Sequence, residues 1–391
     1  GQQMSGIPHF PVRIIRQAVK VLETPMRVYE EGELRRRAAK MREAFGWSAA
    51  DCCCYVPVRC CAERLVLRLL RQERCGAECT TAAELRLARQ CGFSGAVLRY
   101  APLVPDAEGE RLAQALGAGY VIDDPALRPG YVPSRVWLRV NPGGLLMYGG
   151  KALAQCRKSK FGMERQDAFL LAEYYCAQGA EVGFAIHLTE NEPAVELYAA
   201  QTQLLLEWTR AFEEQTGRTL RLCDLGGGLG VARRREDEDV SAEAAAELVR
   251  QTAAGRDIQI SAAPGVWLLA QSGTLLSRVV MLKQRERPLM LLDADCGGRI
   301  APGNYRLVEI LGKKTTDVRQ LALTDVVGSG DLRDRIAERR VLPRAKCGDI
   351  ALVYGIGADR LEIPAALLGC DGAFYRLTET EPFCVRATDN A

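Results

Sequence analysis

The chain has 391 residues, of which 48% are hydrophobic and 26% are charged, and its formal net charge is +3. This length predicts a large domain with a smaller one, and the composition is typical of a globular protein with a sizeable core. The small net charge and the lack of a basic tract argue against binding to nucleic acid or to an acidic membrane surface. No apolar run reaches about 18 residues, so we expect no membrane span.

The start of the chain shows no signal peptide, so we expect a cytoplasmic protein. We interpret Gly1–Gln3 as a vector remnant before a native start at Met4. Fifteen cysteines raise the question of disulfides or zinc, but the odd count and missing secretion signal favour a reducing compartment. No cysteine pair has the spacing of a zinc knuckle, and His9 and His187 are the only histidines. We expect buried cysteines that pack as small hydrophobic side chains, and no metal site.

Helical and strand-like segments alternate from residue 30 onward. The predicted strands are Cys52–Val58, Ala77–Thr80, Gly95–Arg99, Tyr120–Asp123, Arg135–Val140, Glu181–His187, Leu220–Leu225 and Asp257–Ala262. The predicted helices are Glu31–Phe45, Glu63–Gln72, Ala82–Gln90, Glu108–Leu116, Gln166–Gln178, Pro193–Gln215 and Ser241–Ala253. This rhythm predicts an α/β fold, a parallel (β/α)₈ TIM barrel over residues 30–272.

Beyond about residue 273 the pattern changes to short strands with few helical stretches. These strands are Val279–Leu282, Leu289–Leu292, Leu307–Ile310, Leu321–Val327, Asp349–Tyr354 and Phe374–Leu377. We expect a smaller β-domain made of residues 273–391 together with residues 1–29, which join it through a strand at Arg27–Tyr29.

Four unusual features fall at the C-terminal ends of the predicted barrel strands. Arg59 ends the first strand, His187 ends the sixth, Gly226–Gly228 follow the seventh and Ala263 follows the eighth. Barrel enzymes carry their sites at this rim, so we expect a candidate site there. A glycine-rich loop can turn backbone N–H groups toward a phosphate, although a tight turn needs glycine in any case.

Motifs along nearly the whole chain resemble the pyridoxal-phosphate decarboxylases related to diaminopimelate and ornithine decarboxylase. They are Thr24–Tyr29, Tyr55–Ala62, Leu67–Leu70, Ala83–Leu85, Ser159–Gly162, Asp224–Gly228, Leu342–Pro343 and Cys347–Asp349. The resemblance implies an alanine-racemase-like barrel with a C-terminal β-domain, pyridoxal phosphate (PLP) as the cofactor of the family, and a homodimer.

The positions that this resemblance assigns to the cofactor depart from the family pattern. Arg59 stands in place of the lysine that forms the Schiff base, and a guanidinium stays protonated and is no nucleophile. His187 fits the histidine that stacks on the cofactor ring, whereas Glu190 replaces a phosphate-binding serine. Ala263 and Val266 replace the glutamate that protonates the pyridine nitrogen and the arginine that supports the phosphate.

Three positions of the second domain also depart from the pattern that the resemblance implies. The cysteine loop that the opposite subunit contributes is shortened to a segment ending at Asp331. Asp359 corresponds to the phosphate-side tyrosine, and Ala301 to the arginine that grips a substrate carboxylate.

Charge arithmetic argues against tight cofactor binding. A carboxylate about 4 Å from a phosphate costs roughly 4 kcal/mol per unit-charge pair at an effective dielectric near 20. Loss of a charged hydrogen-bond partner lowers the binding free energy by roughly 1.5–3 kcal/mol more. We therefore expect no cofactor, a vestigial phosphate loop at Gly226–Gly228, and an Arg59 that fills the vacated space and pairs with Glu190 or Asp359.

Three hypotheses for function remain. The first is a catalytically inactive homologue, a pseudoenzyme, that binds an active paralogue, a regulatory protein or a small ligand. The second is an active PLP-dependent amino-acid decarboxylase that uses Lys151, Lys158 or Lys160. The third is different chemistry in the same barrel mouth, with His187 and Glu190 as acid and base. Arg59 alone would fit an engineered inactive variant, but several coordinated losses favour a natural non-catalytic relative.

Overall fold

The computed structural model describes residues 6–48, 50–148, 151–152, 157–189, 191, 194–378 and 383–385. The chain divides into two compact units. The barrel unit comprises Arg35–Val231 and Val240–Leu268, and the β unit comprises Gly1–Leu34, Ala232–Asp239 and Leu269–Ala391. Residues 232–239, which the sequence pattern placed within the barrel range, thus group with the β unit.

The regular elements follow one another in the order that the periodicity predicts over most of the chain. The helices are α1 (Val12–Val21), α2 (Glu31–Phe45), α3 (Arg64–Gln72), α4 (Ala82–Gln90), α5 (Ala107–Ala115), α6 (Arg165–Ala177), α7 (Val195–Thr216), α8 (Ala242–Thr252) and α9 (Gly265–Leu269). The strands are β1 (Met26–Glu30), β2 (Tyr55–Pro57), β3 (Gly76–Cys79), β4 (Leu98–Tyr100), β5 (Gly119–Ile122), β6 (Arg135–Arg139), β7 (Met147–Tyr148), β8 (Lys151–Ala152), β9 (Glu181–Ala185), β10 (Leu222–Asp224), β11 (Gln259–Ser261), β12 (Gly273–Lys283), β13 (Leu289–Leu292), β14 (Val308–Ile310), β15 (Leu321–Val327), β16 (Arg335–Pro343), β17 (Ile350–Tyr354), β18 (Ala365–Leu368), β19 (Phe374–Leu377) and β20 (Phe383–Val385).

The barrel unit is built on an eight-stranded parallel sheet in the order β11-β10-β9-β6-β5-β4-β3-β2. A parallel bridge between Cys54 and Ala262 joins its two edges, and the Tyr55 N–H donates to the Ala262 carbonyl at 2.9 Å. The sheet therefore closes on itself, and closure removes the unpaired edges that an open sheet would expose. This confirms the predicted (β/α)₈ barrel.

Three of the helices around the barrel, α4, α5 and α8, begin with a residue whose side chain accepts hydrogen bonds from the first N–H groups of the helix. The Thr81 side chain accepts a hydrogen bond from the Glu84 N–H at the start of α4. Asp106 accepts from the N–H groups of Glu108 and Gly109 at the start of α5. Such caps supply partners for donors that have none within the helix, and they fix the loops that precede the helices.

The β unit contains a ten-stranded mixed sheet that runs β16-β15-β13-β12-β1-β18-β19-β20, with β17 pairing β12 and β14. β1 pairs antiparallel with β12 and parallel with β18, so the predicted N-terminal strand does join this unit. The neighbours Leu275 and Leu276 belong to different buried clusters, and Ile15 of α1 lies in the second of these. Because successive strand residues point to opposite faces, the sheet has a core on each face.

Several elements differ from the sequence predictions. Residues Gly95–Val97 form a short 3₁₀ turn, and the strand itself is Leu98–Tyr100. The pattern missed α1, α9, β7, β8, β16, β18 and β20. β16 reads RIAERRVLP with several exposed positions, so its apolar alternation is broken by charge.

Among the described residues, no helix combines the length and the apolar character that crossing a membrane requires.

The cysteines of the described chain are free thiols, and those in the barrel strands are buried. Burial raises the pKa of Cys52 to about 12 and that of Cys53 to about 11. These thiols therefore stay protonated near neutral pH and pack as apolar groups.

Candidate functional site

The features predicted for the barrel rim come together at the C-terminal ends of the strands. His187 lies two residues beyond β9 and is buried, with 8% of its surface exposed. Gly226–Gly228 follow β10, and Ala263 follows β11. A Cβ atom placed on Gly227 would lie 3.5 Å from the Ala263 carbonyl oxygen and 3.7 Å from His187 Cε1. Three of the predicted positions thus line one space at the barrel mouth.

Arg59 lies two residues beyond β2 and reaches toward the carboxylate of Glu78 in β3. Its Nη1 atom is 3.9 Å from Glu78 Oε1, and 30% of the Arg59 side chain is exposed. The tight turn that carries Arg59 includes a hydrogen bond from the Cys60 N–H to the Pro57 carbonyl at 2.9 Å. The position that the family resemblance assigns to a lysine therefore holds a cation that pairs with a barrel carboxylate.

A fully buried arginine, Arg99 of β4, holds that carboxylate from the other side. Its Nε and Nη2 atoms lie 2.8 and 2.7 Å from Glu78 Oε2. Its Nη1 atom lies 2.6 Å from Asp224 Oδ2, which also accepts a hydrogen bond from the Ser261 hydroxyl at 2.7 Å. The Arg99 guanidinium also stacks over the Tyr55 ring at 4.1 Å. These contacts satisfy a charge that would otherwise be costly to bury.

The network lowers the pKa of Glu78 to about 2. Burial alone would raise this pKa, but the nearby cations Arg99, Arg139 and Arg59 outweigh it. Glu78 is therefore ionised throughout the physiological range, and its charge is shared between Arg99 and Arg59.

The pair of Arg139 and Asp123 forms a second buried contact at the rim. Arg139 Nη1 lies 3.2 Å from Asp123 Oδ1, which also accepts a hydrogen bond from the Gly162 N–H at 2.9 Å. The preceding residue, Phe161, meets the His187 ring edge to face at a centroid distance of 4.7 Å. The Ser159–Gly162 motif thus fastens its loop to β5 and packs against the histidine.

His187 is uncharged at neutral pH. Burial and the positive charges of Arg139 and Arg59 lower its pKa to about 3. A neutral imidazole presents an aromatic face and one donor and one acceptor nitrogen, and it carries no charge for an anionic ligand.

The glycine loop after β10 has a backbone conformation that residues other than glycine would adopt only with strain. Gly226 and Gly228 have φ values of +66° and +109°, and a Cβ atom on Gly226 would collide with the Ile186 carbonyl oxygen. The Gly226 N–H donates to Asp224 Oδ1 at 2.9 Å. The amides of Gly227 and Gly228 donate to no partner within the described residues. The loop therefore offers two N–H groups to an anion.

The remaining predicted positions at the mouth are apolar or lie outside the described chain. Ala263 is buried, and its N–H donates to the Gly226 carbonyl at 2.7 Å. Val266 is partly buried in α9. Neither side chain offers a charge to a ring nitrogen or a phosphate. Glu190 lies outside the described residues, so its suggested pairing with Arg59 stays a prediction.

The second-domain positions all lie in the β unit. Ala301 is exposed in a turn in which its carbonyl accepts from the Asn304 N–H at 2.9 Å. Asp331 is exposed, and its carboxylate lies 3.0 Å from Arg333 Nη2. Asp359 accepts two hydrogen bonds from the buried Arg306, at 2.8 and 3.2 Å. The Asp359 carboxylate is therefore already paired with an arginine of its own unit.

Sequence reasoning did not identify Glu78, Arg99, Arg139 or Asp123 as members of the site. The signal was nonetheless present, because Glu78, Arg99 and Arg139 are charged residues within segments predicted to be buried barrel strands. A charge in such a segment is rare unless it is paired, and it marks a polar cluster inside the barrel.

Comparison with known proteins agrees with the fold and identifies the family. Residues 31–274 match the family model described as "Pyridoxal-dependent decarboxylase, pyridoxal binding domain". The match covers more than half of the chain, and the chain belongs to this family. Protein TabA of Pseudomonas amygdali pv. tabaci is 26% identical, over 95% of this chain and 92% of that protein.

Other relatives are decarboxylases by name. The diaminopimelate decarboxylase of Zymomonas mobilis subsp. mobilis is 26% identical, over 86% of this chain and 83% of that protein. The crystal structure of diaminopimelate decarboxylase from M. jannaschii in complex with L-lysine superposes with a TM-score of 0.81 and 18% identity. The superposition covers 96% of this chain and 91% of that one, and at this identity the likeness concerns the fold.

We predict that Glu78→Gln destabilises the protein by about 3 kcal/mol, because it leaves the buried Arg99 with an incomplete set of negative partners. The folded-state pKa of Glu78 is depressed. The stability that the ionised Glu78 contributes is therefore fully present above its ordinary pKa of 4.5 and is lost as the pH falls through about 2. Urea unfolding at neutral pH measures the loss. Glu247→Gln is the control, since it disturbs only exposed contacts, those with Arg250 and Gln251, and should change little. Equal effects of the two substitutions would contradict the role of the network.

We predict that His187 makes the protein lose stability as the pH falls from about 6.5 to about 3. The folded state holds the imidazole neutral, whereas the unfolded chain binds a proton in this window, with a slope of up to about 1.4 kcal/mol per pH unit. His187→Gln should flatten this part of the stability curve. His9→Gln, at an exposed position, should leave it unchanged. A slope in the His187 variant equal to that of the parent protein would count against the burial described above.

We predict opposite outcomes for alanine at two adjacent glycines. Gly226→Ala should lower the free energy of unfolding by about 2 kcal/mol or more, because of its positive φ and the clash with the Ile186 carbonyl. Gly227→Ala should be tolerated, because the nearest atoms would lie at the ordinary contact distance of 3.5 Å. Thermal unfolding of both variants tests the loop, and a tolerated Gly226→Ala would show that the loop has another conformation.

Proposed function

We propose that this member of the pyridoxal-dependent decarboxylase family has lost PLP-dependent catalysis and acts by binding. The observation that carries the proposal is Arg59. The lysine position of the resemblance holds a guanidinium that lies 3.9 Å from the Glu78 carboxylate. A guanidinium cannot condense with an aldehyde at physiological pH, so this residue cannot anchor the cofactor covalently.

The surrounding residues fit PLP poorly as well. Ala263 offers no carboxylate to a ring nitrogen, and Val266 offers no cation to a phosphate. In the glycine loop, the Gly226 N–H is already used by Asp224. Loss of one charged hydrogen bond weakens the binding of a phosphate group by roughly 1.5–3 kcal/mol, or roughly tenfold to a hundredfold in affinity. The residues therefore do not fit the cofactor, and no catalytic step is assigned to it.

The groups present at the barrel mouth are suited to reversible binding of a ligand. The amides of Gly227 and Gly228, which have no partner among the described residues, and the aromatic face of His187 can hold a small ligand without a covalent bond. We propose that the protein works as a cytoplasmic homodimer whose partner is a small ligand or a protein, such as an active relative or a regulator. Family membership supports the dimer, and the loss of the lysine position supports a binding role.

We predict that the protein forms no covalent adduct with PLP. The purified protein is mixed with PLP, treated with borohydride and digested, and the peptides are examined by mass spectrometry for a labelled lysine. An active diaminopimelate decarboxylase treated in parallel serves as the positive control. A labelled lysine in a single peptide of this protein, together with a reducible absorption band, would overturn the proposal.

A second candidate is an active decarboxylase that uses a different lysine, and one observation favours it. A cavity of about 330 Å³ is lined by His187, Lys158 and Lys160. The Lys160 ammonium lies 5.4 Å from the centre of the Phe161 ring. The side chain of Lys151, the other lysine considered, lies outside the described residues.

The two candidates are separated by the same labelling experiment on lysine variants. If the second candidate holds, the labelled peptide contains Lys158 or Lys160, and the label disappears in Lys158→Arg or Lys160→Arg. Lys346→Arg, a substitution in the β unit, is the control and should leave the label in place. If the binding role holds, none of these variants differs from the parent protein.

A further inference from the structure

A second cavity lies on the outer side of the barrel, apart from the mouth. It has a volume of about 220 Å³ and is lined by Tyr100, Tyr120, Asp106, Glu110 and Arg128, among others. Tyr100 follows Arg99 directly in β4, and the Arg99 side chain lies in the interior network. Because successive strand residues point to opposite faces, Tyr100 points away from the barrel interior and toward α5.

The hydroxyl group of Tyr100 is buried in this cavity without a hydrogen-bond partner. The side chain is fully buried, and its oxygen has no partner among the described residues. A Cβ atom on Gly109 of α5 would collide with this oxygen, so the glycine leaves the space that the hydroxyl occupies. Burial and the charges of Asp106 and Glu110 raise the pKa of Tyr100, and the phenol stays protonated. An unsatisfied buried hydroxyl is costly and needs an explanation.

Two carboxylates that line the same cavity lack a neutralising cation. Asp106 Oδ1 accepts from the Glu108 and Gly109 N–H groups, each at 3.1 Å. Glu110 Oε1 accepts from the Gly130 N–H at 2.5 Å. Backbone groups thus hold both carboxylates in place, and neither forms an ion pair within the described part of the chain. Each carboxylate keeps acceptor capacity for a ligand.

Aromatic rings complete the cavity. Tyr100 and Tyr120 pack edge to face with their centroids 5.3 Å apart. Arg128, the cation at the rim, lies over the Tyr174 ring at 4.7 Å rather than in an ion pair with either carboxylate. Two carboxylates, a protonated phenol and tyrosine rings form the environment that a small ammonium ion prefers, because its N–H groups find acceptors and its charge meets aromatic faces.

We propose that this cavity binds the primary ammonium group of a small organic molecule, with Tyr100, Asp106 and Glu110 as its ligands. The ammonium donates to the two carboxylates and to the Tyr100 oxygen, which thereby gains the partner it lacks. The site is separate from the barrel mouth and does not depend on whether PLP binds there. Two classes of molecule carry such an ammonium group, alkylamines and amino acids, and the carboxylate of an amino acid would face Arg128.

Calorimetric titration of the whole protein tests the site with three probes: n-butylammonium, norvaline and tetramethylammonium. We expect a primary ammonium to bind and tetramethylammonium, which has no N–H group, to bind at least tenfold more weakly. Tighter binding of norvaline than of n-butylammonium, reduced to the n-butylammonium value by Arg128→Gln, identifies amino acids as the ligand class. The reverse order identifies amines.

Three variants locate the binding. Tyr100→Phe and Glu110→Gln should each weaken the primary ammonium about tenfold or more, since each removes one hydrogen-bonding partner of the charged group. Tyr131→Phe is the matched control, because it deletes another unpartnered buried hydroxyl that does not line the cavity, and it should bind like the parent protein. Tyr100→Phe should fold with unchanged or higher thermal stability, since the lost hydroxyl has no hydrogen-bond partner among the residues that the structure describes.

The proposal is overturned if none of the three probes binds. It is also overturned if tetramethylammonium equals n-butylammonium, or if Tyr100→Phe and Glu110→Gln bind like Tyr131→Phe. None of these outcomes bears on the borohydride experiment at the barrel mouth, so the two proposals can fail separately.

Discussion

The structure of the barrel unit depends on the burial of one charge, the guanidinium of Arg99. Its ion pairs and hydrogen bonds reach Glu78 in β3, Asp224 in β10 and Ser261 in β11. A charge in the interior is tolerated only if its partners surround it with good geometry, so these strands must keep their register for the charge to stay buried. The barrel thus has a polar centre that specifies its closure, in addition to an apolar layer between sheet and helices.

The same network explains the electrostatics of the mouth. Glu78 offers one carboxylate oxygen to Arg99 and the other to Arg59, and Arg139 is paired with Asp123. Arg59, Arg99 and Arg139 are therefore engaged by carboxylates of the barrel itself, and burial together with the charges of Arg139 and Arg59 keeps His187 neutral. Because these arginines are already paired with carboxylates, they offer little uncompensated positive charge to an anionic cofactor. This balance is consistent with a binding role in which two backbone amides, rather than side-chain cations, meet the ligand.

The outer cavity has the opposite character. Its carboxylates are held by backbone N–H groups, and within the described part of the chain they form no ion pair and the buried Tyr100 hydroxyl has no hydrogen-bond partner. Fixed negative charge without a counter-ion costs free energy unless a ligand supplies the cation. The barrel unit therefore has charged groups that are balanced within the protein at its mouth, and the outer cavity that we propose as an ammonium site.

The sequence alone predicted the barrel, the strand at residues 26–30 that joins the β unit, and the presence of Arg59 where the family resemblance implies a lysine. Alternating apolar segments specify strands and helices locally, and a residue type that cannot form an imine is visible without coordinates. The tertiary structure alone decided which charges meet. Glu78, Arg99 and Asp224 are separated by up to 146 residues (from 78 to 224), and only closure of the barrel brings them within 3 Å. Asp359 likewise found Arg306 as its partner, because packing rather than sequence order sets which opposite charges come into contact.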